Sequence, residues 1–306
     1  MGKHAYLILT HKNFKQLKAL LMLLDHKRND IYVHVDRKAK SFKKEDFRSL
    51  CKHSNLYFIE PRIDVNWGGV SIMRAELALL TKATQTGRYD YYHLLSGMDL
   101  PIKSQDYIHA FFDKNKGKEF IKFWEFKKST YSRFYYYTIF PEGEGKFKTR
   151  IINHIFKGVQ MLLGLKINRK IDFKFASQWF SITDELARYV VTNRNWLEKV
   201  FRHTSTCDEI FLATLVWNSP FKENLFDPKP VKSQKEINMA DMRLIDWTRG
   251  DSIRHPWTFI KSDFDLLINS SLLWARKFDE NVDSEIIQLI LEKFSTANAD
   301  SYPSNV

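Results

Sequence analysis

Residues 5–36 read AYLILTHKNFKQLKALLMLLDHKRNDIYVHVD, and this stretch decides the fold class. The apolar run at 5–9 has the length and composition of a buried strand. Apolar residues then recur at helical spacing over 14–24, and the β-branched run at 31–35 predicts a second strand. A strand, a helix and a strand in succession predict a unit in which the two strands run parallel.

The same alternation continues to residue 99. The predicted elements are a charged helical stretch at 45–51, a strand at 56–59, a Trp-Gly-Gly turn at 67–69, a helix at 71–86 with Ser71 as N-cap, and a strand at 91–95 followed by the loop 96–99. We therefore expect an α/β fold with a mostly parallel central sheet flanked by helices, a Rossmann-like half that binds a nucleotide. In such sheets ligands bind at the carboxyl ends of the strands.

The rest of the chain has no linker that would divide it. Residues 114–174 are basic, aromatic and less regular, with a loop at 141–145. Later elements are a strand at 178–182, helices at 184–191, 208–217, 262–267 and 283–294, a loop at 219–235 and an apolar segment at 242–247. We predict one catalytic domain at 1–296, with a nucleotide-binding half at about 1–105, an acceptor half at about 106–296 and a flexible tail at 297–306.

Composition restricts the possible partners. Of 306 residues, 44% are hydrophobic and 15% aromatic, which is typical of a globular protein and suits surfaces that stack on sugar rings. The net charge of +12 favours an anionic partner, whether nucleic acid, an anionic membrane or a phosphorylated small molecule, although basic residues are also ordinary surface charges. Two cysteines exclude a disulfide framework, and no apolar run is long enough to span a membrane. We expect a cytoplasmic protein.

Two acidic residues, Asp208 and Glu209, precede the apolar residues of a predicted helix. A carboxylate held there could act as a general base toward a hydroxyl group. The alternative is that both acids only complement the helix dipole. Composition does not decide between the two interpretations.

Single aspartates follow two predicted strands. Asp36 and Asp99 each lack the second carboxylate of an Asp-x-Asp pair, so we expect no divalent metal. A diphosphate would then need fixed cations, which bind phosphate oxygens directly, unless these side chains are solvated surface charges. The C-terminal candidates are Arg249, Arg254, Lys261, Arg276 and Lys277.

Six short segments, in order along most of the chain, are distinctive together. They are AYLILTH at 5–11, IYVHVD at 31–36, YHLLSGMDLPI at 92–102, SQWF at 177–180, CDE at 207–209 and WARKFD at 274–279. In this combination the sequence resembles the core-2/I-branching β-1,6-N-acetylglucosaminyltransferase family, glycosyltransferase family 14, whose relatives include the peptide O-xylosyltransferases. The resemblance implies a GT-A fold and an inverting, metal-independent sugar transfer without a cofactor.

The resemblance also implies roles for individual residues. Glu209 matches the catalytic base, and Arg254 and Lys277 match the two cations at the donor diphosphate. The implied nucleotide-binding residues are Thr10, His11, Asp36, Ser96 and Asp99. The implied acceptor-binding residues are Glu125, Arg133, Trp179, Asp208 and Trp247.

The substrates expected from the resemblance are a UDP-sugar and a glycan hydroxyl. UDP-GlcNAc is the first donor expected, with UDP-xylose, UDP-glucose and UDP-galactose as alternatives. The two cysteines and the missing anchor resemble a bacterial member, which implies a lipid-linked or capsular acceptor in polysaccharide synthesis. The basic surface then predicts peripheral contact with the inner face of the plasma membrane.

A different class of function also fits part of the sequence. Basic and aromatic residues alternate at 123–128 and 133–137, as they do in proteins that bind single-stranded nucleic acid. We expect no nucleic acid partner, because this pattern is confined to two short segments whereas the glycosyltransferase resemblance covers most of the chain.

Overall fold

The computed structural model describes residues 2–125, 134–142, 147–204, 206–233, 236–249 and 255–295. The strands in these ranges are β1 (His4–Thr10), β2 (Asn29–Val35), β3 (Asn55–Phe58), β4 (Tyr91–Ser96), β5 (Asp99–Pro101), β6 (Phe120–Phe123), β7 (Ala176–Thr183), β8 (Arg243–Ile245) and β9 (Trp274–Arg276). The α-helices are α1 (Phe14–Leu24), α2 (Val70–Thr86), α3 (Gln105–Lys114), α4 (Phe147–Leu162), α5 (Asp184–Thr192), α6 (Arg194–Phe201), α7 (Phe211–Trp217), α8 (Phe264–Asn269) and α9 (Glu285–Ser295).

Six strands form the central sheet in the order β3-β2-β1-β4-β7-β6. The first four run parallel, whereas β7 is antiparallel to both β4 and β6. Strands β1, β2 and β4 are buried along nearly their whole length, as expected for a parallel sheet covered on both faces. The predicted α/β fold with a mostly parallel sheet is confirmed.

Two hydrophobic clusters account for the two covered faces. One contains buried residues of α2, α5, α6 and α7, and the other contains buried residues of α1, α3, α8 and α9. Successive residues of β1 alternate between them: Leu7 belongs to the first cluster, and Tyr6 and Ile8 belong to the second. This period of two is what a strand between two layers of helices requires.

A second, three-stranded sheet in the order β5-β9-β8 continues from the carboxyl edge of the first. Strand β5 begins three residues after the end of β4, and it pairs with β9 so that Asp99 lies opposite Arg276. The buried Arg243 of β8 joins the sheets, because its guanidinium donates to the carbonyls of Leu94 (3.0 Å) and Phe180 (2.6 Å). Strand β8, and β9 paired with it, are thereby held against β4 and β7.

Two local predictions are wrong. Ser71 is not the N-cap of α2, which is Gly69; the Ser71 hydroxyl instead accepts from the Asn66 amide (2.9 Å) and donates to Glu142 (2.7 Å). The helix predicted at 208–217 divides into a single 3-10 turn at Cys207–Glu209 and the helix α7.

The region 114–174, predicted to be irregular, contains β6 and the sixteen-residue helix α4. The predicted tail at 297–306 lies outside the described residues. In the part of the chain that the structure describes, no helix has the length and apolar character needed to cross a bilayer.

Candidate active site

The predicted nucleotide-binding residues lie together at the carboxyl edge of the central sheet. Thr10 ends β1, and the amide of Asp36, just after β2, donates to its carbonyl (2.9 Å). A Cβ on Gly97, just after β4, would lie 2.6 Å from the Thr10 hydroxyl oxygen, so this approach requires glycine. The order of the parallel strands reverses between β1 and β4, and such a reversal creates the crevice where doubly wound sheets bind ligands.

Asp99 is engaged by a cation of the protein. Its carboxylate accepts from the Ser96 amide (2.8 Å) and from the Arg276 guanidinium (2.7 Å), which also donates to the Ser96 hydroxyl. The Arg276 guanidinium carbon lies 4.4 Å from the centre of the Trp179 ring. Asp99 and Trp179 therefore fix Arg276 at the end of β9.

The structure distinguishes Lys277 from the other C-terminal cations that it describes. Arg249 binds Asp246 and Asp263, each at 2.6 Å, and Lys261 binds Glu285. Among described residues, none hydrogen-bonds or ion-pairs with the Lys277 ammonium. Burial lowers the pKa of Lys277, and the neighbouring charges of Arg276 and Lys12 lower it further. A bound anion would relieve this repulsion. Arg254 lies outside the described residues.

The segment that carries Lys277 is fixed against the loop after β1. Asp279 accepts from Lys12 (3.1 Å) and from the Asn13 side chain (2.9 Å). Burial alone would raise the pKa of Asp279, but hydrogen bonds from Asn281, Lys12 and Asn13 hold it at about 2. The segment with Lys277 is therefore held against residues 12–13, just after β1.

The surroundings of His11 disfavour its charged form. Partial desolvation lowers its pKa, and so do the charges of Lys12, Arg276 and Lys38, against the opposing effect of Asp36. The cations that act on His11 include two that act on Lys277. The loop after β1 and the end of β9 therefore form one electropositive site.

The carboxylates Asp208 and Glu209 lie half-buried in the 3-10 turn Cys207–Glu209. Thr206 enters this turn in the left-handed conformation (φ 49°), and its amide donates to the Gly68 carbonyl (2.8 Å). Since α7 begins only at Phe211, neither carboxylate lies in the first turn of an α-helix. Both acids still lie next to the N-terminus of α7, so the structure does not decide between a general base and complements of the helix dipole.

Trp67 is a candidate site residue that sequence reasoning missed. Its side chain is 74% exposed, in the Trp-Gly-Gly turn to which Thr206 is bonded. Gly68 has φ 69°, and a Cβ on Gly69 would lie 2.1 Å from Glu142. The turn Cys207–Glu209 is the carboxylate turn. An exposed indole beside it suits contact with the flat face of a sugar or base. The paired glycines were the available signal.

Strand β7 connects the carboxylate turn with the cation site. The Gln178 side-chain amide donates to the buried Glu76 carboxyl (2.8 Å), whereas the next residue, Trp179, contacts Arg276. Burial raises the pKa of Glu76 well above its ordinary value, and the negative charge of Asp208 raises it further. Strand β7 therefore contacts, through neighbouring residues, both Glu76 beside the turn with Asp208 and the cation Arg276.

The buried Glu76 gives a pH-dependent prediction. A glutamate in the unfolded chain titrates at about pH 4.3. Above that pH, Glu76 in the native protein retains a proton that the unfolded chain releases. Stability therefore falls as pH rises, until the native pKa is passed. We expect Glu76→Gln, which keeps the carbonyl that Gln178 binds, to gain thermal stability over the wild type progressively as the pH rises above about 4.3. A constant difference in melting temperature over this range would contradict the prediction.

The predicted acceptor residues are scattered by comparison. Glu125 is exposed after β6, where its amide donates to the Val231 carbonyl (2.8 Å). Trp247 is half-buried and follows β8, which runs parallel to β9, so it lies at the edge that carries Lys277. Trp179 contacts Arg276, a cation of the donor side. Arg133 lies outside the described residues.

The expectation of no divalent metal considered only Asp36 and Asp99, and it overlooked one Asp-x-Asp tripeptide in the sequence. This tripeptide is Asp263-Phe264-Asp265. The Asp263 carboxylate accepts from Arg249 (2.6 Å), from the Trp257 indole (2.9 Å) and from the Ile260 amide (3.0 Å). It is therefore a structural carboxylate. Among the described residues, no group of three or more His, Cys, Asp and Glu side chains has an arrangement that could hold a metal ion.

Known proteins are similar in sequence to most of this chain. The family model Core-2/I-Branching enzyme matches residues 4–267. Xylosyltransferase 2 of Rattus norvegicus is 25% identical over 299 residues, which cover 94% of this chain and 33% of that protein. Xylosyltransferase 2 of Bos taurus is 26% identical, covering 92% and 32%. The chain spans about one third of the length of the curated relatives it matches.

A search of solved structures finds weaker likeness. The crystal structure of mouse xyloside xylosyltransferase 1, apo form, has a TM-score of 0.36 at 11% identity, covering 90% of this chain and 97% of that one. A likeness at this score supports no conclusion about the present chain.

Proposed function

The chain belongs to the Core-2/I-Branching enzyme family of glycosyltransferases, and from this premise we propose that it transfers a sugar from a UDP-sugar to a glycan hydroxyl with inversion and without a metal ion. One observation carries the proposal. The Lys277 ammonium forms no hydrogen bond or ion pair among the described residues, and strand pairing places Arg276, the residue before it, opposite Asp99, which lies just after β4 at the strand reversal. Trp179, which contacts Arg276, lies on β7 next to Gln178, and Gln178 binds the buried Glu76 on which the charge of Asp208 acts.

In this proposal Glu209 is the general base. It removes the proton of the acceptor hydroxyl as the oxygen attacks the anomeric carbon from the face opposite the diphosphate. The new C–O bond forms as the bond between sugar and diphosphate breaks, so a single displacement inverts the anomeric centre. The half-buried turn, fixed by the Thr206 to Gly68 bond, supplies the positioning that this step needs.

Fixed cations neutralise the departing diphosphate. Lys277 is the direct contact, and Arg276 strengthens the local field although Asp99 offsets part of its charge. Arg254, which the family resemblance implies as the second cation, retains that role as part of the proposal. Thr10, His11 and Asp36 line the region of the uridine.

The names of the relatives change the first choice of donor. The matched proteins are called xylosyltransferases, which favours UDP-xylose over UDP-GlcNAc. We propose UDP-xylose as the first donor to test, with a glycan or lipid-linked saccharide as acceptor.

A nucleic-acid interface has little support from the structure. Phe123, Phe134 and Tyr136, which belong to the alternating segments, are buried in the protein. Buried rings cannot stack on bases, so the exposed platform that single-strand binding needs is missing at these positions.

A donor panel tests the proposed function. Purified protein is incubated with UDP-xylose, UDP-GlcNAc, UDP-glucose and UDP-galactose, and free UDP is measured. We expect release from one donor to exceed release from the others by at least about tenfold, because a donor pocket discriminates through a few hydrogen bonds. NMR of the product should show an anomeric configuration opposite to that of the donor. Retention of configuration would contradict the proposed displacement.

A further inference from the structure

Helix α4 exposes apolar side chains and buries a polar one, which is the reverse of the usual pattern. A helix on a soluble protein buries its apolar residues and exposes its polar ones. In α4 the buried residue is Gln160, whose side chain exchanges hydrogen bonds with the backbone of Tyr137 (2.9 and 3.0 Å). Asn153, seven residues earlier, is likewise bonded to the backbone of Phe140 (3.1 Å). The polar side of α4 therefore faces the protein.

The apolar side of α4 faces outward. Residues at spacings of four and three form one exposed stripe, because such spacing places side chains on the same face of a helix. The stripe consists of Phe147, Ile151, Ile155, Val159 and Leu162. Ile155 is 64% exposed and Leu162 is 87% exposed, and Leu163 and Leu165 extend the apolar surface past the helix end. A contiguous exposed apolar patch of this kind marks an interaction surface.

The charged residues of the segment that carries the stripe are of one sign. Residues 147–170 contain no aspartate or glutamate. The basic residues of this segment are Lys148, Arg150, Lys157, Lys166, Arg169 and Lys170. Apolar residues on one face of a helix with only basic residues around them are the combination that binds an anionic bilayer, where lipid tails take the apolar side chains and headgroups take the charges. A protein partner with an apolar groove would not require a segment without acids.

The helix is connected to the candidate active site. Asn153 holds Phe140, and Glu142, two residues later, accepts from the Ser71 amide (2.8 Å) and from the Asn66 side chain (3.3 Å). Asn66 precedes the Trp67-Gly68-Gly69 turn, to which the carboxylate turn is bonded. Contact of α4 with a bilayer would therefore bring the candidate active site close to the lipid headgroups.

We propose that the exposed face of α4 docks this protein on an anionic lipid bilayer, with the helix lying in the plane of the surface and not across it. The sixteen residues of α4 span about 24 Å at 1.5 Å per residue, which is enough for one in-plane contact. The docking does not depend on the sugar that is transferred, and it would bring a lipid-linked acceptor to the site.

Vesicle flotation of the full chain tests the proposal. We expect the wild type to float with vesicles that contain phosphatidylglycerol, and to bind vesicles of phosphatidylcholine alone at least about tenfold more weakly. The variant Ile155→Glu with Leu162→Glu should lower the bound fraction by about tenfold or more, because two exposed apolar contacts are lost and two negative charges are added. Leu266→Glu, a change at another exposed leucine outside α4, should bind as the wild type does.

The controls distinguish a loss of membrane binding from a folding defect and from binding of a second copy of the chain. All variants should keep the melting temperature of the wild type and its UDP release from a soluble donor, since all three changed side chains are exposed. Equal flotation of the wild type and the α4 variant, or no flotation at all, would overturn the proposal. A concentration-dependent dimer that the α4 substitutions abolish would also overturn it, because the face would then bind a second copy of the chain.

Discussion

We expect the Glu209→Gln variant to lose about 10²- to 10⁴-fold in kcat for sugar transfer, the range that a positioned general base contributes. Glutamine keeps the size of the side chain and its carbonyl but cannot accept the proton of the acceptor hydroxyl. The loss should appear in kcat, whereas the Kd for UDP should change little, because the proposed role of Glu209 is toward the acceptor hydroxyl and not toward the diphosphate.

Two measurements make this prediction specific. Glu45→Gln removes an exposed carboxylate from the 3-10 turn Lys44–Phe47, and this matched control should retain full turnover. The pH profile of kcat/KM should lose its acidic limb in Glu209→Gln, since that limb reports the ionisation of the base in the free enzyme. Full turnover in Glu209→Gln would exclude Glu209 as the base.

The Lys277→Ala variant should lose about 10²- to 10³-fold in kcat/KM, the usual cost of removing one fixed group that stabilises developing negative charge. Its Kd for UDP should also rise, because the ammonium contacts the diphosphate in the product as well as in the transition state. The melting temperature should not fall. Burial and the charges of Arg276 and Lys12 already disfavour the charged form of Lys277, so its removal relieves repulsion in the free protein.

The chain offers a matched control for Lys277. Lys261→Ala removes the same charge from an exposed ion pair with Glu285, and such pairs contribute little. We expect Lys261→Ala to keep the activity of the wild type, and Lys277→Arg to restore part of what Lys277→Ala loses. Equal activity losses at the two lysines would show that general surface charge, and not a diphosphate contact, is being measured.

The fold was predictable because local patterns and the final structure agree. The apolar spacing over 14–24 reproduces α1 (Phe14–Leu24), and the β-branched run at 31–35 lies within β2 (Asn29–Val35). The predicted strand ends also locate the edge of the sheet where a nucleotide is expected to bind, since parallel strands end on one side of a sheet. These inferences need only periodicity and topology.

What sequence could not show depends on contacts between distant residues. Asp99 is bound by Arg276, 177 residues away, and this pairing arises only when β5 and β9 meet. Lys261 and Lys277 look equivalent in the sequence, whereas among the described residues Lys261 forms an ion pair, with Glu285, and Lys277 forms none. The partners of these side chains decide their roles.

Helix α4 was missed for a different physical reason. Its apolar residues have helical spacing but are not covered by the described part of the protein, so it does not belong to the layered α/β pattern. The alternation of strands and helices that predicts the rest of the fold gives no place to a helix whose apolar face points outward. Its helical spacing and lack of acids were the available signals.

The measurement that tests the central claim most directly is UDP release from the preferred donor, with acceptor present, in excess EDTA and in added Mg²⁺ or Mn²⁺. If Lys277 and its neighbouring cations neutralise the diphosphate, the wild-type rate should be the same within about twofold in all three conditions. Loss of the wild-type rate in EDTA, with recovery on adding Mn²⁺, would contradict the account, because a metal ion would then perform the role assigned to the fixed cations.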